Sequence, residues 1–246
     1  MKNNILVLNI PDDKNLYFVG DIHGQYDLYK RTLNEYGISD NDVVISVGDL
    51  IDRGPKTAAT LFEFLFDENR YAIIGNHEAM CLYAPSDKEW RNIWMNNGGK
   101  EFLDEVGSTG VNFFRDYIAQ LPLVIEVNHR GKKIGVVHAA VPLRHTNWTD
   151  FCTEVQTGSQ QIMDDIHWST DTFRYCRSNN VPMAPRIQDV DYVFSGHTAI
   201  NDPLVYGNRI WIDSMFNTGE LTIAYLDGNN FRFKRRPRDE HSFRLK

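Results

Sequence analysis

The 246-residue sequence has few cysteines, no long apolar run and no excess of basic residues. Its three cysteines form no CxxC pair, which argues against a disulfide framework and a cysteine zinc site and favours the reducing cytoplasm. The apolar stretch ILVLNI is too short to cross a bilayer, so we expect neither a membrane span nor a signal peptide. A formal charge of −7 makes nucleic acid an unexpected partner.

One segment departs from this acidic balance. The C-terminal tail, residues 232–246, carries seven Lys/Arg against two acids, and we interpret it as solvated rather than as a phosphate contact. The sequence contains no internal repeat and no convincing linker. We therefore predict one domain over residues 1–246, with the oligomeric state left open.

The first eighty residues alternate between apolar runs and amphipathic segments. The runs LYFVG, DVVISVG and YAIIG each end in glycine and predict strands. The segments YDLYKRTLNEYG and PKTAATLFEFLFDENR predict helices, the second with Pro55 at its first helical position. Strand, helix, strand, helix, strand is a pair of βαβ units with a parallel, largely buried sheet.

The remaining chain is more varied. Residues 80–120 predict a helical, cap-like segment interrupted by NNGG, and LPLVIEVN with KKIGVVHAA predicts a hairpin. Residues 141–190 are interpreted as an irregular excursion over the surface. The late runs DYVFSGH, NRIWID, LTIAYLD and FRFKR predict an antiparallel meander. The fold class is α/β, parallel early and antiparallel late.

Polar residues with metal-binding side chains follow five of the predicted strands. Asp21 and Asp49 are 28 residues apart, and Asn76 follows 27 residues later, spacings that match one βαβ repeat of about 30 residues. Because ligands bind at the carboxyl ends of parallel strands, these groups should line one edge of the sheet. The motifs are GDIHG with Asp21 and His23, GDLIDRG with Asp49, Asp52 and Arg53, GNHE with Asn76 and His77, HAA with His138, and SGHT with His197.

Two carboxylates, three imidazoles and one amide suit hard to borderline divalent ions such as Mn²⁺, Fe²⁺ and Zn²⁺. They exceed the three protein ligands that a single catalytic ion usually keeps. A pair of metal ions sharing a bridging carboxylate fits the number of ligands. A lone aspartate after a strand is more often a helix cap, so the prediction depends on the ordered set.

The ordered motifs resemble those of the calcineurin-like metallophosphoesterases, in the phosphoprotein phosphatase branch and its bacterial and bacteriophage members. The resemblance implies a four-layer αββα sandwich with the active site at the carboxyl ends of the strands. It implies a serine/threonine protein phosphatase, with possible phosphotyrosine tolerance, that uses direct attack by a metal-bridging hydroxide. Two divalent ions are implied, with Mn²⁺ first and Fe or Zn as alternatives. Phosphoproteins, or phosphorylated small molecules, would be the substrates.

The resemblance also assigns the metal ligands. The first metal would take Asp21 and His23, and Asp49 would bridge both ions. The second metal would be held by Asn76, His138 and His197.

Other residues receive catalytic or substrate-binding roles from the same resemblance. His77 would be the general acid, kept protonated and oriented by Asp52, since a carboxylate raises the pKa of an adjacent imidazole. Arg53 would bind phosphate oxygens with its planar guanidinium. A further substrate contact is not matched by the motifs, and Arg174 or Arg177 is our candidate to substitute for the arginine that related enzymes carry near Thr170.

The sequence departs from related enzymes at the substrate rim. Ile74 and Thr170 stand where arginines are common, and Ser214-Met215 replaces an expected Thr-Gly. A nucleotide phosphohydrolase, acting on dinucleoside polyphosphates or cyclic nucleotides, therefore remains an alternative, and a non-catalytic metal-binding scaffold is a third. Glu78 is interpreted as a surface or supporting residue. The remaining histidines are interpreted as surface residues: His129, His145, His167 and His241.

Overall fold

A computed structural model describes residues 4–178, 185–228, 230–236 and 239–242. Two six-stranded sheets pack face to face and helices cover their outer faces, which confirms the four-layer α/β architecture. None of the described helices is long and apolar enough to cross a membrane.

The first sheet combines the N-terminal strand with strands from the second half of the chain. Its members are β1 (Ile5–Asn9), β5 (Val124–His129), β6 (Lys132–Val137), β7 (Tyr192–Ser195), β8 (Leu204–Tyr206) and β9 (Arg209–Trp211). Their order is β1-β5-β6-β7-β9-β8, with β6, β7 and β9 parallel to one another.

The second sheet joins the early parallel strands to the late antiparallel ones. Its members are β2 (Leu16–Val19), β3 (Val43–Ser46), β4 (Arg70–Ala72), β10 (Ile223–Asp227), β11 (Asn230–Arg236) and β12 (Asp239–Ser242). The order is β12-β11-β10-β2-β3-β4. Strands β2, β3 and β4 are parallel, as the βαβ pattern predicts.

Nine α-helices lie in the described part of the chain. They are α1 (Tyr26–Glu35), α2 (Thr57–Phe66), α3 (Asn76–Tyr83), α4 (Lys88–Trp94), α5 (Lys100–Ile118), α6 (Trp148–Thr157), α7 (Gln160–His167), α8 (Asp171–Ser178) and α9 (Met215–Thr218). A π-helical turn, Met95–Gly99, joins α4 to α5 at the predicted NNGG interruption.

The core between the sheets is aromatic and aliphatic. Phe18 of β2 and Phe194 of β7 stack with ring centroids 4.2 Å apart, and Phe231 of β11 packs edge-on against Phe194. Every residue of β3 is buried, because the opposite sheet covers one face and helices cover the other. This double burial explains why the early strands read as continuous apolar runs rather than as alternating patterns.

Two expectations about the helices need correction. Residues 141–190 contain α6, α7 and α8 rather than an irregular excursion, since amphipathic turns there bury residues such as Trp148 and Phe151. Pro55 lies before the N-cap Lys56 of α2, not at the first helical position.

The late strands also differ from one continuous meander. Strands β7 and β9 pair in parallel in the first sheet, and only β10, β11 and β12 form an antiparallel meander. Residues 230–236 and 239–242 form β11 and β12, which confirms the strand predicted at FRFKR, and the solvation of the basic tail stays a prediction. The rest of that tail and Asn229 lie outside the described residues.

Candidate metal centre and active site

The predicted site residues converge where parallel strands of both sheets end. Asp21 follows β2, Asp49 follows β3 and Asn76 opens α3 after β4, all from the second sheet. His138 and His197 follow β6 and β7 of the first sheet. The groups surround a cavity of about 200 Å³. Its lining residues are Asp21, His23, Asp49, Arg53, Asn76, His77, His197, Ala199, Asp213 and Phe216.

Several of these residues adopt a backbone conformation that is uncommon outside glycine. Positive φ angles occur at His23 (47°), Asp49 (51°), Asp52 (70°), Arg53 (65°) and His197 (63°). Such conformations cost about 1–3 kcal/mol each and persist only where the surroundings enforce them. Their concentration here shows that the fold holds these side chains against local preference.

Glycines let the neighbouring backbone approach the carboxylates. A Cβ atom at Gly75 would collide with Oδ1 of Asp49, and one at Gly196 would collide with Oδ1 of Asp21. The glycines in GNHE and SGHT are therefore required by close packing against the two acids.

Three imidazoles are each anchored through one ring nitrogen to a backbone carbonyl. Nδ1 of His23 lies 3.0 Å from the carbonyl oxygen of Ile51, and Nδ1 of His138 lies 2.8 Å from that of Val47. Nε2 of His197 lies 3.1 Å from a third carbonyl oxygen, that of Trp168. Burial lowers the pKa of His23 to about 3 and that of His197 to about 4, and it also lowers the pKa of His138. Each ring is therefore neutral, and its single N–H donates to the carbonyl.

The other ring nitrogens then carry lone pairs, and two of these nitrogens lie near the carboxylate of Asp49. Nε2 of His138 lies 3.4 Å from Oδ1 of Asp49, and Nε2 of His23 lies 3.6 Å from Oδ2. The Oδ1 atom of Asn76 lies 2.8 Å from Nε2 of His138 and 3.1 Å from Nδ1 of His197. Nε2 of His23 has a donor nearby in Nη1 of Arg53, whereas the facing acceptors of Asn76, His138 and His197 repel each other unless a cation lies among them.

Buried carboxylates without a partner also indicate that the site needs a cation. Burial raises the pKa of Asp21 well above its usual range, and burial together with Asp49 raises the pKa of Asp213 to about 7. The Oδ1 atoms of Asp21 and Asp213 have no hydrogen-bond partner among the described residues. Buried carboxylates need a cation or a proton, so this donor set fits divalent metal ions.

Two compact groups of ligand atoms share Asp49. One comprises His23, Asp49 and His77, and the other comprises Asp21, Asp49 and His138. These groups bring together atoms close enough to share an ion and do not divide the ligands between two ions, so the division that the resemblance implies stays a prediction.

His77 lies in a different electrostatic environment from the anchored imidazoles. Its Nδ1 is 2.7 Å from Oδ2 of Asp52, and its buried Nε2 has no partner in the described structure. Burial acts to lower the pKa of His77, but Asp49 and Asp52 together raise it above the ordinary value. An imidazole oriented by a carboxylate, with its Nε2 at the cavity, is suited to donate a proton.

The arginine candidates are placed differently from one another. Nη1 of Arg53 lies 2.8 Å from Nε2 of His23, and its guanidinium lies 5.6 Å from the centroid of the Phe216 ring at the cavity rim. Arg174 is exposed on α8 and does not line the cavity, so its role stays a prediction. Ile74 is buried in the core, and Thr170 is likewise absent from the cavity lining.

Glu78 is a supporting residue that the sequence left undefined. It is fully buried, which excludes the surface alternative. Its Oε2 accepts the N–H groups of Asp49 (2.9 Å) and Gly75 (2.8 Å), and its Oε1 accepts those of Leu50 (2.8 Å) and Ile51 (3.3 Å). One side chain thereby fixes the turn that presents Asp49 to the start of α3.

Asp213 was missed, although its sequence signal matches that of the other site residues, since an acid directly follows the apolar run IWI. His129 and His167 were expected at the surface and are buried, while His145 is half-buried. The side chain of His241 lies outside the described structure.

Comparisons with known proteins agree with this geometry. A sequence model for calcineurin-like phosphoesterases matches residues 14–201. Serine/threonine-protein phosphatase 2 of Escherichia coli K12 is 30% identical over 220 residues, covering 87% of this chain and 94% of that protein. A symmetrical bis(5'-nucleosyl)-tetraphosphatase of Buchnera aphidicola is 33% identical over 129 residues, covering 51% and 43%. A yeast protein serine/threonine phosphatase superposes with a TM-score of 0.62 at 18% identity, covering 98% and 85%.

Metal binding should stabilise the fold, because a cation relieves the repulsion among the buried donors. We expect divalent metal at a hundred times its Kd to raise the free energy of unfolding by about 2.7 kcal/mol. Thermal unfolding of chelator-treated protein, with and without Mn²⁺ or Zn²⁺, measures this. Asn76→Ala should reduce the shift and Asn128→Ala, remote from the site, should not. An unfolding midpoint that does not change when metal is added would contradict the prediction of a metal site.

Replacing Glu78 by glutamine should destabilise the protein strongly. The amide keeps one acceptor oxygen for four buried N–H groups, and each unsatisfied group costs about 1–3 kcal/mol, so we expect a loss of about 2–4 kcal/mol. Urea unfolding measures it. The matched control is Glu105→Gln, which alters an exposed carboxylate that accepts the N–H groups of Thr57 and Ala58. Water can replace that acceptor, so equal losses in the two variants would refute the supporting role of Glu78.

Proposed function

Because the chain belongs to the calcineurin-like phosphoesterase family, we propose that it is a phosphatase acting on phosphoserine and phosphothreonine in proteins. The observation that carries the proposal is the buried Asp52–His77 pair, whose free imidazole nitrogen adjoins the metal-binding donors. Release of a serine or threonine alkoxide needs a proton, and this pair can supply it. The near full-length match to a bacterial serine/threonine-protein phosphatase supports the same substrate class.

Two divalent metal ions fit the donor set. The proposed ligands are Asp21, His23, Asp49, Asn76, His138 and His197, with Asp49 shared. When bound, such ions neutralise phosphate charge and lower the pKa of a coordinated water. We propose Mn²⁺ first, with iron or zinc as alternatives.

The protein side chains divide the remaining work. Arg53 binds the phosphate oxygens from the cavity rim, since its guanidinium offers a planar pair of donors. His77 donates its Nε2 proton to the leaving oxygen, and Asp52 orients the ring through Nδ1. Phosphotyrosine also fits an open site with few side-chain-specific contacts. The free cysteines Cys81, Cys152 and Cys176 favour a cytoplasmic setting.

Nucleotide phosphohydrolysis is the second candidate. Two observations favour it: tetraphosphatase relatives match half of this chain, and Arg53 is the sole arginine lining the described cavity. Ile74 lies in the core and Thr170 lies away from the cavity, where related enzymes commonly carry arginines. A phosphate dianion therefore has fewer guanidinium partners here than in those enzymes. A non-catalytic scaffold is disfavoured because the six proposed metal ligands and His77 are all present.

His77→Asn should leave metal content unchanged and lower turnover of phosphoserine peptide by about 10²–10⁴-fold, the usual worth of general acid catalysis. The backbone N–H of residue 77, which donates to Asp49, is retained in this variant. Steady-state phosphate release and metal analysis measure the two effects. His145→Asn, which alters a half-buried histidine outside the cavity lining, is the control. Unchanged turnover would remove His77 from the reaction.

A substrate panel decides between the two enzyme candidates. Protein reloaded with Mn²⁺ would receive phosphoserine peptide, diadenosine tetraphosphate and a cyclic nucleotide in parallel. We expect the highest kcat/KM on the peptide, with activity lost in Asn76→Ala. A preference for either nucleotide would replace the proposed substrate and leave the metal centre intact.

A further inference from the structure

The carboxylate of Asp52 has a second partner from a distant part of the chain. Nε1 of Trp94 lies 3.1 Å from Oδ1 and 3.0 Å from Oδ2 of Asp52, while Nδ1 of His77 lies 2.7 Å from Oδ2. All three side chains are buried. The indole N–H thus points at the carboxylate that orients the general acid.

A carboxylate in this position needs a second donor. Asp52 is fully buried, and burial acts to raise its pKa, against the opposing effect of the His77 and Trp94 hydrogen bonds. Without the indole, Oδ1 would have no donor among the described residues, and the carboxylate would be held only by His77. Orientation by a further layer of hydrogen bonds is what keeps reacting groups within productive geometry.

The π-helical turn Met95–Gly99 sets the position of Trp94. Trp94 ends α4, and the chain then passes through the turn before α5 begins. A Cβ atom at Gly99 would lie 2.5 Å from Cε2 of the Trp94 indole, so only glycine lets the chain pass beneath the ring. Single π turns within helices are rare and frequently mark functional sites.

The same turn contacts the phosphate-binding candidate. Gly98 has φ of +108°, and its carbonyl oxygen accepts the N–H of Arg53 at 3.4 Å. A Cβ atom at Gly98 would lie 2.7 Å from that nitrogen. Trp94, directly before the turn, and Gly98 within it therefore contact two consecutive residues, Asp52 and Arg53, both with positive φ.

We infer that Trp94, held by the Met95–Gly99 turn, is a positioning residue for proton donation by His77, acting through the Asp52 carboxylate. Trp94 does not line the cavity, so it acts without touching substrate. The inference depends on the proposed phosphomonoesterase function, and it adds residues 94–99 to the machinery of that site.

The test compares leaving groups in Mn²⁺-loaded protein. Phenyl phosphate releases a basic oxygen that needs a proton, whereas 2,4-dinitrophenyl phosphate releases one that does not. Trp94→Phe should lower kcat for phenyl phosphate by about 10–100-fold, as expected for loss of an orienting partner. The change for 2,4-dinitrophenyl phosphate should stay within about twofold, because that reaction gains little from an acid. KM and metal content should stay unchanged.

Trp148→Phe is the matched control. Its buried indole donates to a carboxylate oxygen of Glu126 at 2.7 Å, so the substitution removes the same kind of hydrogen bond away from the cavity. This variant should keep both activities. If Trp94→Phe lowers kcat equally for both esters, or lowers neither, the inference about Trp94 is wrong and the proposed function still stands. A wild-type protein that hydrolyses neither ester would instead remove the proposed function, and the inference with it.

Two further measurements separate positioning from structural support. In the Asp52→Asn background, Trp94→Phe should add little to the loss, since residues acting as one unit are not additive, and full additivity would refute the pathway. The indole N–H resonance of Trp94 should shift in Asp52→Asn while that of Trp148 does not. Should Trp94→Phe fail to fold, Gly99→Ala crowds the same ring and should give the same selective loss. A folded Gly99→Ala protein that keeps the wild-type ratio of kcat values for the two esters would count against the assigned role.

Discussion

The organising constraint of this protein is the desolvation of the Asp49 carboxylate among neutral imidazoles. The lone pairs of His23 and His138 face its two oxygens, and each ring is fixed because its other nitrogen bonds a backbone carbonyl. With His197, whose Nε2 bonds the carbonyl of Trp168, three of the site's histidines are thereby committed to be acceptors. Such an arrangement is unfavourable for the protein alone and favourable around cations, so the site is built for metal before any substrate binds.

The surrounding structure resists that repulsion. Glu78 accepts hydrogen bonds from the N–H groups at the turn after β3, and glycines allow the backbone to lie close to the carboxylates. Residues with positive φ are concentrated in the same turns. The two sheets, joined by an aromatic core, supply rigidity that a loop-built site would lack. Local strain at the site is thus maintained by the packing of the whole sandwich.

One residue type performs two roles here because its surroundings differ. Burial lowers the pKa of His23 and His197 in spite of their carbonyl partners, whereas Asp49 and Asp52 raise that of His77. The first group offers lone pairs, and the opposite shift at His77 supports its proposed role as a proton donor. Trp94 belongs to the environment of His77, since its indole N–H donates to the Asp52 carboxylate. That carboxylate is the partner that distinguishes His77 from the other histidines of the site.

The sequence by itself determined the βαβ start, the strand-end placement of Asp21, Asp49 and Asn76, and the family. Those features follow from local periodicity and from motif order, which a linear chain displays directly. Tertiary structure alone decided what depends on contacts across long separations. It buried Glu78 beneath the turn, brought Asp213 beside Asp21, and left Arg174 away from the cavity. It also placed Trp94 against Asp52, 42 residues earlier, because a packed interior rather than local propensity sets which distant groups meet.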